Sequence, residues 1–194
     1  MCIRDSRNDV HLSYLPLFHA YGFSEVAMMV ALTGGSQVLF DVFEPDQVLD
    51  AVEEEGGTVL HGFDSHWADL IREQQQRERD VTSLRVGTLP AGMESTVPIA
   101  RQVQDIFCPT TSGFGMSETW AFIASSHVTN TLEQRTEASG YPMYGIEFEV
   151  RDLDQGHVLG ENEQGALYVR GYTVTSGYWG KPEATAEVLD DDGW

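Results

Sequence analysis

A chain of 194 residues, 41% hydrophobic and 22% charged, can bury one sizeable core, which excludes an intrinsically disordered chain. The formal net charge of −20 argues against nucleic acid or an anionic membrane as a partner. Two cysteines, Cys2 and Cys108, give neither a disulfide framework nor a CxxC metal signature, and no apolar run is long enough to span a bilayer, so a reducing, cytoplasmic compartment is the simplest expectation.

Residues 1–6 lack the apolar core of a signal peptide and match poorly with the rest of the chain, so they are expected to be a non-native leader. Residues 10–15 read as a buried strand stopped by Pro16. Residues 23–32, apolar and rich in methionine, read as a buried helix closed by Gly34-Gly35, with Met28 and Met29 as core filler. A short strand at 37–40 leads to Pro45 at a helix start, with Val48, Leu49 and Val52 on one face and Gly56-Gly57 at the end. The strand at 58–61 is followed by a helix with Asp64 or Ser65 as its cap and Trp67, Leu70 and Ile71 as its buried face. The polar tail of that helix, residues 73–80, is expected to be exposed. A strand at 84–86 and a helix at 97–107, with Ile99, Val103, Ile106 and Phe107 inward, complete an alternating series that continues to about residue 112.

That alternation implies βαβ units, a largely parallel sheet and an α/β fold, with ligands beyond the carboxyl ends of the strands. From residue 147 the pattern changes to short alternating strands separated by turns at 154–157 and 160–165, a β-rich, small barrel-like or packed-sheet segment. The expected organisation is an α/β portion over 7–140 and a β-rich portion over 141–194.

The stretch with most chemical content is Ser112-Gly113-Phe114-Gly115-Met116-Ser117-Glu118-Thr119, read as a loop after a strand. Its glycines allow close ligand approach. Phe114 offers a flat apolar face, Ser117 and Thr119 offer hydroxyls, and Glu118 offers a carboxylate able to ligate a hard cation such as Mg²⁺. A structural turn is the competing reading. His61 and His66 straddle a strand-to-helix turn and lack a carboxylate or cysteine at ligand spacing. Residues 22–26 lack the second glycine of a nucleophile elbow, which argues against a serine hydrolase.

Three further segments give that stretch an ordered context: Leu15-Pro16-Leu17-Phe18-His19-Ala20-Tyr21-Gly22, then residues 165–171 running on to Ser176-Gly177-Tyr178-Trp179 and Pro182-Glu183-Ala184-Thr185, and finally Asp192-Gly193-Trp194. In order and spacing the set resembles the middle of the adenylate-forming enzymes: acyl-CoA synthetases, beetle luciferases and the adenylation domains of peptide synthetases. The resemblance covers nearly everything after Arg7.

It implies an incomplete adenylate-forming large domain that uses ATP, Mg²⁺ and coenzyme A. It implies that Phe114 stacks on adenine, that Ser117 contacts the α-phosphate, that Glu118 binds the metal, and that His19 lies near the reacting carboxylate. Ser112, Gly113 and Gly115 join Phe114 in the nucleotide site, with Gly92 and Met93 in the adenine-flanking loop, although Gly92-Met93-Glu94 departs from the family's Gly-Ala-Pro-like pattern. Tyr21 falls in the acyl-pocket wall, joined by the apolar Phe23, Trp67 and Trp120. Gly165-Ala166-Leu167 stands where the family usually has Gly-Glu-Leu.

The family's lysine-containing phosphate loop belongs upstream of Val10, and its ribose-binding aspartate and mobile C-terminal domain belong beyond Trp194. The resemblance therefore implies an internal fragment of a longer enzyme, inactive by itself. The leading expectation is part of an ATP-dependent carboxylate–CoA ligase acting on a fatty or aryl acid. The alternatives are a peptide-synthetase adenylation domain and a non-catalytic nucleotide-binding module.

Overall fold

Five short strands pair in parallel in the order β2-β1-β3-β4-β5, with β1 at Val10–Ser13, β2 at Ser36–Leu39, β3 at Val59–His61, β4 at Val86–Thr88 and β5 at Thr110–Thr111. This structure, a computed structural model, describes residues 5–194; Cys2 and residues 1–4 of the expected leader lie outside the described residues. The register aligns Leu12 with Leu60 and Leu60 with Gly87, so these positions share one face. Helices α2 (Pro45–Glu55), α3 (Asp64–Gln76) and α4 (Val97–Ile106) cover that face. Val48, Leu49, Val52, Trp67, Leu70, Ala100 and Val103 are wholly buried there, each large aliphatic side chain contributing about 1.5–3 kcal/mol through area removed from water.

Local chemistry sets the helix ends. Pro45 opens α2, and Gly56 closes it at φ 65°, a conformation that suits glycine. The start of α3 differs from the sequence expectation. Phe63, not Asp64 or Ser65, holds the capping position, and its amide is taken by His66 Nδ1 at 3.2 Å, the reciprocal half of a capping box. The polar tail of α3 also folds differently. Arg79 is buried because its guanidinium reaches Asp50 and Glu73, each at 2.9 Å, and the Arg77 carbonyl at 2.8 Å. Paired in this way, a charge can leave water.

The expected buried helix at 23–32 is a π-helical stretch, Tyr21–Met28, running into α1, Met29–Thr33. Only Tyr21, Gly22 and Val26 are buried; Phe23, Met28 and Leu32 are exposed, since no described element covers the outer face. Gly22 is required, because a Cβ would stand 2.5 Å from the Pro16 carbonyl oxygen.

The expected loop within residues 112–119 is largely strand. β6 (Gly113–Met116) pairs antiparallel with β7 (Ala121–Ser125), and β8 (Tyr141–Pro142) completes a three-stranded sheet. Antiparallel pairing thus begins at Gly113, earlier than the sequence suggested. A short helix α5 (Leu132–Thr136) precedes β8. β9 (Ile146–Arg151) and β10 (Ala166–Gly171) form a separate two-stranded ribbon, followed by α6 (Pro182–Val188). Trp194 packs beneath the guanidinium groups of Arg151 and Arg170, at 5.1 and 4.6 Å from its ring.

Candidate functional site

The carboxyl ends of the parallel strands face a cavity of about 420 Å³, as an α/β sheet requires of a ligand site. Three connections build it. After β1 the chain turns at Pro16, whose carbonyl accepts the His19 amide at 3.0 Å, and delivers His19 and Tyr21. Phe63 comes from the end of β3 and Pro90 from the end of β4. The hairpin of β6 and β7 supplies residues 113–118 and Phe122. A Cβ at residue 113 would stand 2.9 Å from the Ala124 carbonyl oxygen, so Gly113 permits this close pairing.

His19 Nδ1 accepts the Tyr21 amide at 3.2 Å, which leaves the proton of a neutral ring on Nε2. Glu118 lies in the single turn Ser117–Thr119 that ends β6. Its Oε1 accepts the Tyr178 hydroxyl at 2.6 Å; that bond, with Glu118's own backbone amide, lowers its pKa and keeps it ionised at neutral pH. Its carbonyl accepts the Thr175 amide at 2.7 Å, so two residues near the end of the chain fix this turn. Tyr21 packs edge-on to Phe63 at 5.3 Å and against Phe122 at 5.1 Å, and its hydroxyl pairs with that of Thr88. Burial raises the Tyr21 pKa, so the phenol stays neutral.

The cavity therefore brings together His19, Tyr21, Gly113, Phe114, Gly115, Ser117 and Glu118 of the residues singled out in the sequence. The others lie elsewhere. Ser112 is wholly buried, its hydroxyl accepting the Ala91 amide at 2.9 Å and donating to the Ala91 carbonyl at 3.1 Å, so it ties β5 to the segment after β4. Gly92 and Met93 do not line the cavity, and Met93 is exposed. Trp67 is no pocket residue. It shares the inward stripe of α3 with Leu70 and Ile71, donates to the Thr88 carbonyl at 3.2 Å and packs on Phe107. Phe23 and Trp120 meet edge to face at 5.7 Å on the surface outside the cavity.

Phe63, Pro90 and Phe122 had not been singled out. Phe63 and Pro90 each stand two residues after the end of a strand, and that position was the available signal. Phe122 carried none, because β7 was not foreseen; Tyr178 stood in a segment already singled out, but its contact with Glu118, 60 residues away, could not be read from the chain.

The arrangement can hold a flat ring against Phe114, donate to an oxygen from His19 Nε2 and Ser117, and present one ionised carboxylate. Mg²⁺ commonly uses one or two carboxylates together with phosphate oxygens, and Glu118 suits that role. Among the described residues no cluster of three or more His, Cys, Asp or Glu could hold a metal by itself.

Comparison with known proteins agrees with this geometry. Over 184 residues the chain is 32% identical to the acyl-CoA ligase sidI of Aspergillus fumigatus, covering 92% of this chain and 31% of that protein. It is 32% identical to a feruloyl-CoA synthase of an Amycolatopsis species, covering 92% of this chain and 36% of that protein. The fold superposes on an ATP-bound RpMatB–BxBclM chimera with a TM-score of 0.86 at 25% identity, covering 99% of this chain and 37% of the chimera. The chain thus spans about a third of the length of the curated relatives it matches. Residues 1–179 match the AMP-binding enzyme family, and with the strand-end cavity and the ligase relatives this match establishes that the chain belongs to that family.

Proposed function

We propose that the chain forms the nucleotide- and acid-binding face of an ATP-dependent carboxylate–CoA ligase. The observation that carries this reading is the meeting of Phe114, Ser117, Glu118 and His19 at one cavity, although they come from segments nearly 100 residues apart. In the proposed reaction the acid's carboxylate oxygen attacks the α-phosphorus of ATP. The bond to the bridging oxygen breaks, and pyrophosphate leaves with its electron pair. A coenzyme A thiol, losing its proton, then attacks the acyl carbon and displaces AMP.

Phe114 holds the adenine by stacking, and the Ser117 hydroxyl donates to the α-phosphate. His19 donates from Nε2 to the carboxylate or phosphate oxygen, its ring fixed by the Tyr21 amide. Glu118, ionised and held by Tyr178, would hold Mg²⁺, whose charge offsets that of the phosphates when bound. Tyr21, Phe63 and Phe122 form an apolar wall that excludes water from the acid. In this reading the phosphate-loop region and C-terminal domain come from the rest of a longer protein, 7–140 and 141–194 are its nucleotide-binding and β-rich portions, and the chain alone turns over little or no substrate.

The names of the relatives, an acyl-CoA ligase and a feruloyl-CoA synthase, favour a fatty or aryl acid. Acyl-hydroxamate formation by the full-length protein with ATP, Mg²⁺ and a panel of acids tests the reading. Product with at least one fatty or aryl acid is expected. A folded full-length protein that binds ATP yet makes no hydroxamate and releases no pyrophosphate with any acid would favour a non-catalytic nucleotide-binding module.

A further inference from the structure

Two segments far apart in the chain meet at Glu118. The Thr175 amide donates to the Glu118 carbonyl at 2.7 Å, and the Tyr178 hydroxyl donates to Glu118 Oε1 at 2.6 Å. Tyr178 is itself anchored. Its amide donates to Thr185 Oγ1 at 2.9 Å, and its carbonyl accepts the Lys181 amide at 3.1 Å. Gly177 lets the chain pass close to α6, because a Cβ there would stand 2.6 Å from Thr185 Cγ2. The Gly177 amide donates to Thr175 Oγ1 at 3.2 Å, and that hydroxyl donates to the Gly177 carbonyl at 3.2 Å. The phenol thus reaches Glu118 from a braced loop.

A carboxylate can hold a cation by one oxygen or chelate it with both. Tyr178 makes the two modes unequal at Glu118. A chelated ion needs Oε1 together with Oε2, and Oε1 already faces the phenol proton. The cation and the positive end of the O–H dipole would then crowd one oxygen. An ion held by Oε2 alone avoids that conflict. Hard cations differ in which mode they use. Mg²⁺ demands a near-ideal octahedron and keeps several waters, and the narrow bite of a chelating carboxylate distorts that octahedron. Ca²⁺ is larger, takes more oxygens and readily chelates. Glu118 is the one carboxylate lining the first cavity among the described residues, so a larger ion finds no second carboxylate there.

We propose that Tyr178 restricts Glu118 to single-oxygen coordination and thereby makes the site prefer Mg²⁺ to Ca²⁺ beside the nucleotide. The inference rests on the ligase reading, which gives Glu118 to the metal. Tyr178 is a positioning residue: it acts on the cation through Glu118. Discrimination comes from a penalty on the wrong ion, not from an added bond to the right one. Removing the hydroxyl frees Oε1 and lifts the penalty, so Ca²⁺ should gain while Mg²⁺ gains little.

The test is titration of ATP into the full-length protein with Mg²⁺, with Ca²⁺ and with neither, for the wild type, Tyr178→Phe, Glu118→Gln and the double variant. In the wild type Mg²⁺ should strengthen ATP binding by about fivefold or more beyond Ca²⁺. In Tyr178→Phe the two should come within about twofold of each other, chiefly because Ca²⁺ improves. Phenylalanine keeps the ring, and Tyr178 is 36% exposed, so the melting temperature should be retained. In the Glu118→Gln background Tyr178→Phe should leave the cation dependence unchanged, because its route to the cation is gone. Equal strengthening by both ions in the wild type overturns this inference and leaves the ligase reading standing. So does a Mg²⁺ to Ca²⁺ ratio that survives in Tyr178→Phe, or one that shifts as much without the Glu118 carboxylate as with it. No strengthening by either ion in the wild type overturns the metal role of Glu118 and this inference with it.

Discussion

The two faces of the parallel sheet are made by the same strands and have opposite chemistry. Toward α2, α3 and α4 the strands present Leu12, Leu60 and Gly87, packed to zero or near-zero exposure against Val48, Leu49 and Trp67. On the other face they present His11, His61, Thr88 and Thr111, the last three lining a second cavity, nearly as buried yet with several polar atoms without a hydrogen-bond partner among the described residues. Burial alone therefore does not separate the two faces; among the described residues most of the unpartnered buried side-chain atoms lie on the second one, the Tyr14 hydroxyl in the core being an exception. The helix-covered face is closed by apolar packing, whereas the other face keeps buried polar atoms without partners among the described residues.

Substitutions on the two faces should break that contrast if it is wrong. The largest loss is expected from Trp67→Ala, which leaves a cavity under α3 and removes the bond to the Thr88 carbonyl. About 3–5 kcal/mol should be lost in urea unfolding. Next comes Asp9→Ala, at the amino end of β1. Burial would raise the Asp9 pKa, but bonds from Arg85 at 2.6 and 2.8 Å, from Thr58 at 2.8 Å and from Ser6 outweigh it and hold it well below the ordinary carboxylate value. This stabilisation is present above that ordinary value and is lost as the pH falls below it. Asp9→Ala should cost about 2 kcal/mol at neutral pH, moderated by the partial exposure of Arg85, and should flatten the acid limb of the melting curve.

On the cavity face the sign of the pH effect reverses. Burial pushes the Glu25 carboxyl up to about 7, with the Phe122 amide opposing. Between the ordinary value of 4.5 and about 7 the folded chain holds a proton that the unfolded chain has released, so stability declines as the pH rises through that window. Glu25→Gln should therefore shrink the fall in melting temperature between about pH 5 and about pH 8. An undiminished fall would assign it to another group. The smallest effect is expected from Thr111→Val, which removes an unpartnered hydroxyl. Urea unfolding should show no loss, or a gain of up to about 1 kcal/mol, whereas a comparable change at a satisfied hydroxyl destabilises.

The same contrast explains what could be read from the sequence. The parallel sheet was legible because each strand is a short apolar run and each helix carries a clear stripe, as in Val48, Leu49 and Val52. Phe114, Ser117, Glu118 and His19 stood out because glycine spacing and residue type mark them locally. Trp67 was read both as the buried face of its helix and as pocket wall, because an aromatic on a helix stripe looks the same in either place. Arg79 was misplaced because its burial depends on Asp50, on another helix. Phe122 and the β6–β7 hairpin escaped because pairing between Phe114 and Ala124 is set by the turn at Trp120, whose φ of 66° no local pattern announces. The orphan atoms of His61 and Thr111 are a property of three-dimensional neighbours and leave no trace in the chain.

The central claim is that Glu118, at the edge of the Phe114 stacking surface, carries the metal that accompanies the nucleotide. Titration of ATP into the full-length protein with and without Mg²⁺, for the wild type and for Glu118→Gln, tests it most directly. The account predicts that Mg²⁺ strengthens ATP binding to the wild type and that this strengthening largely disappears in Glu118→Gln at an unchanged melting temperature. A Glu118→Gln protein that keeps the full Mg²⁺ enhancement would contradict it.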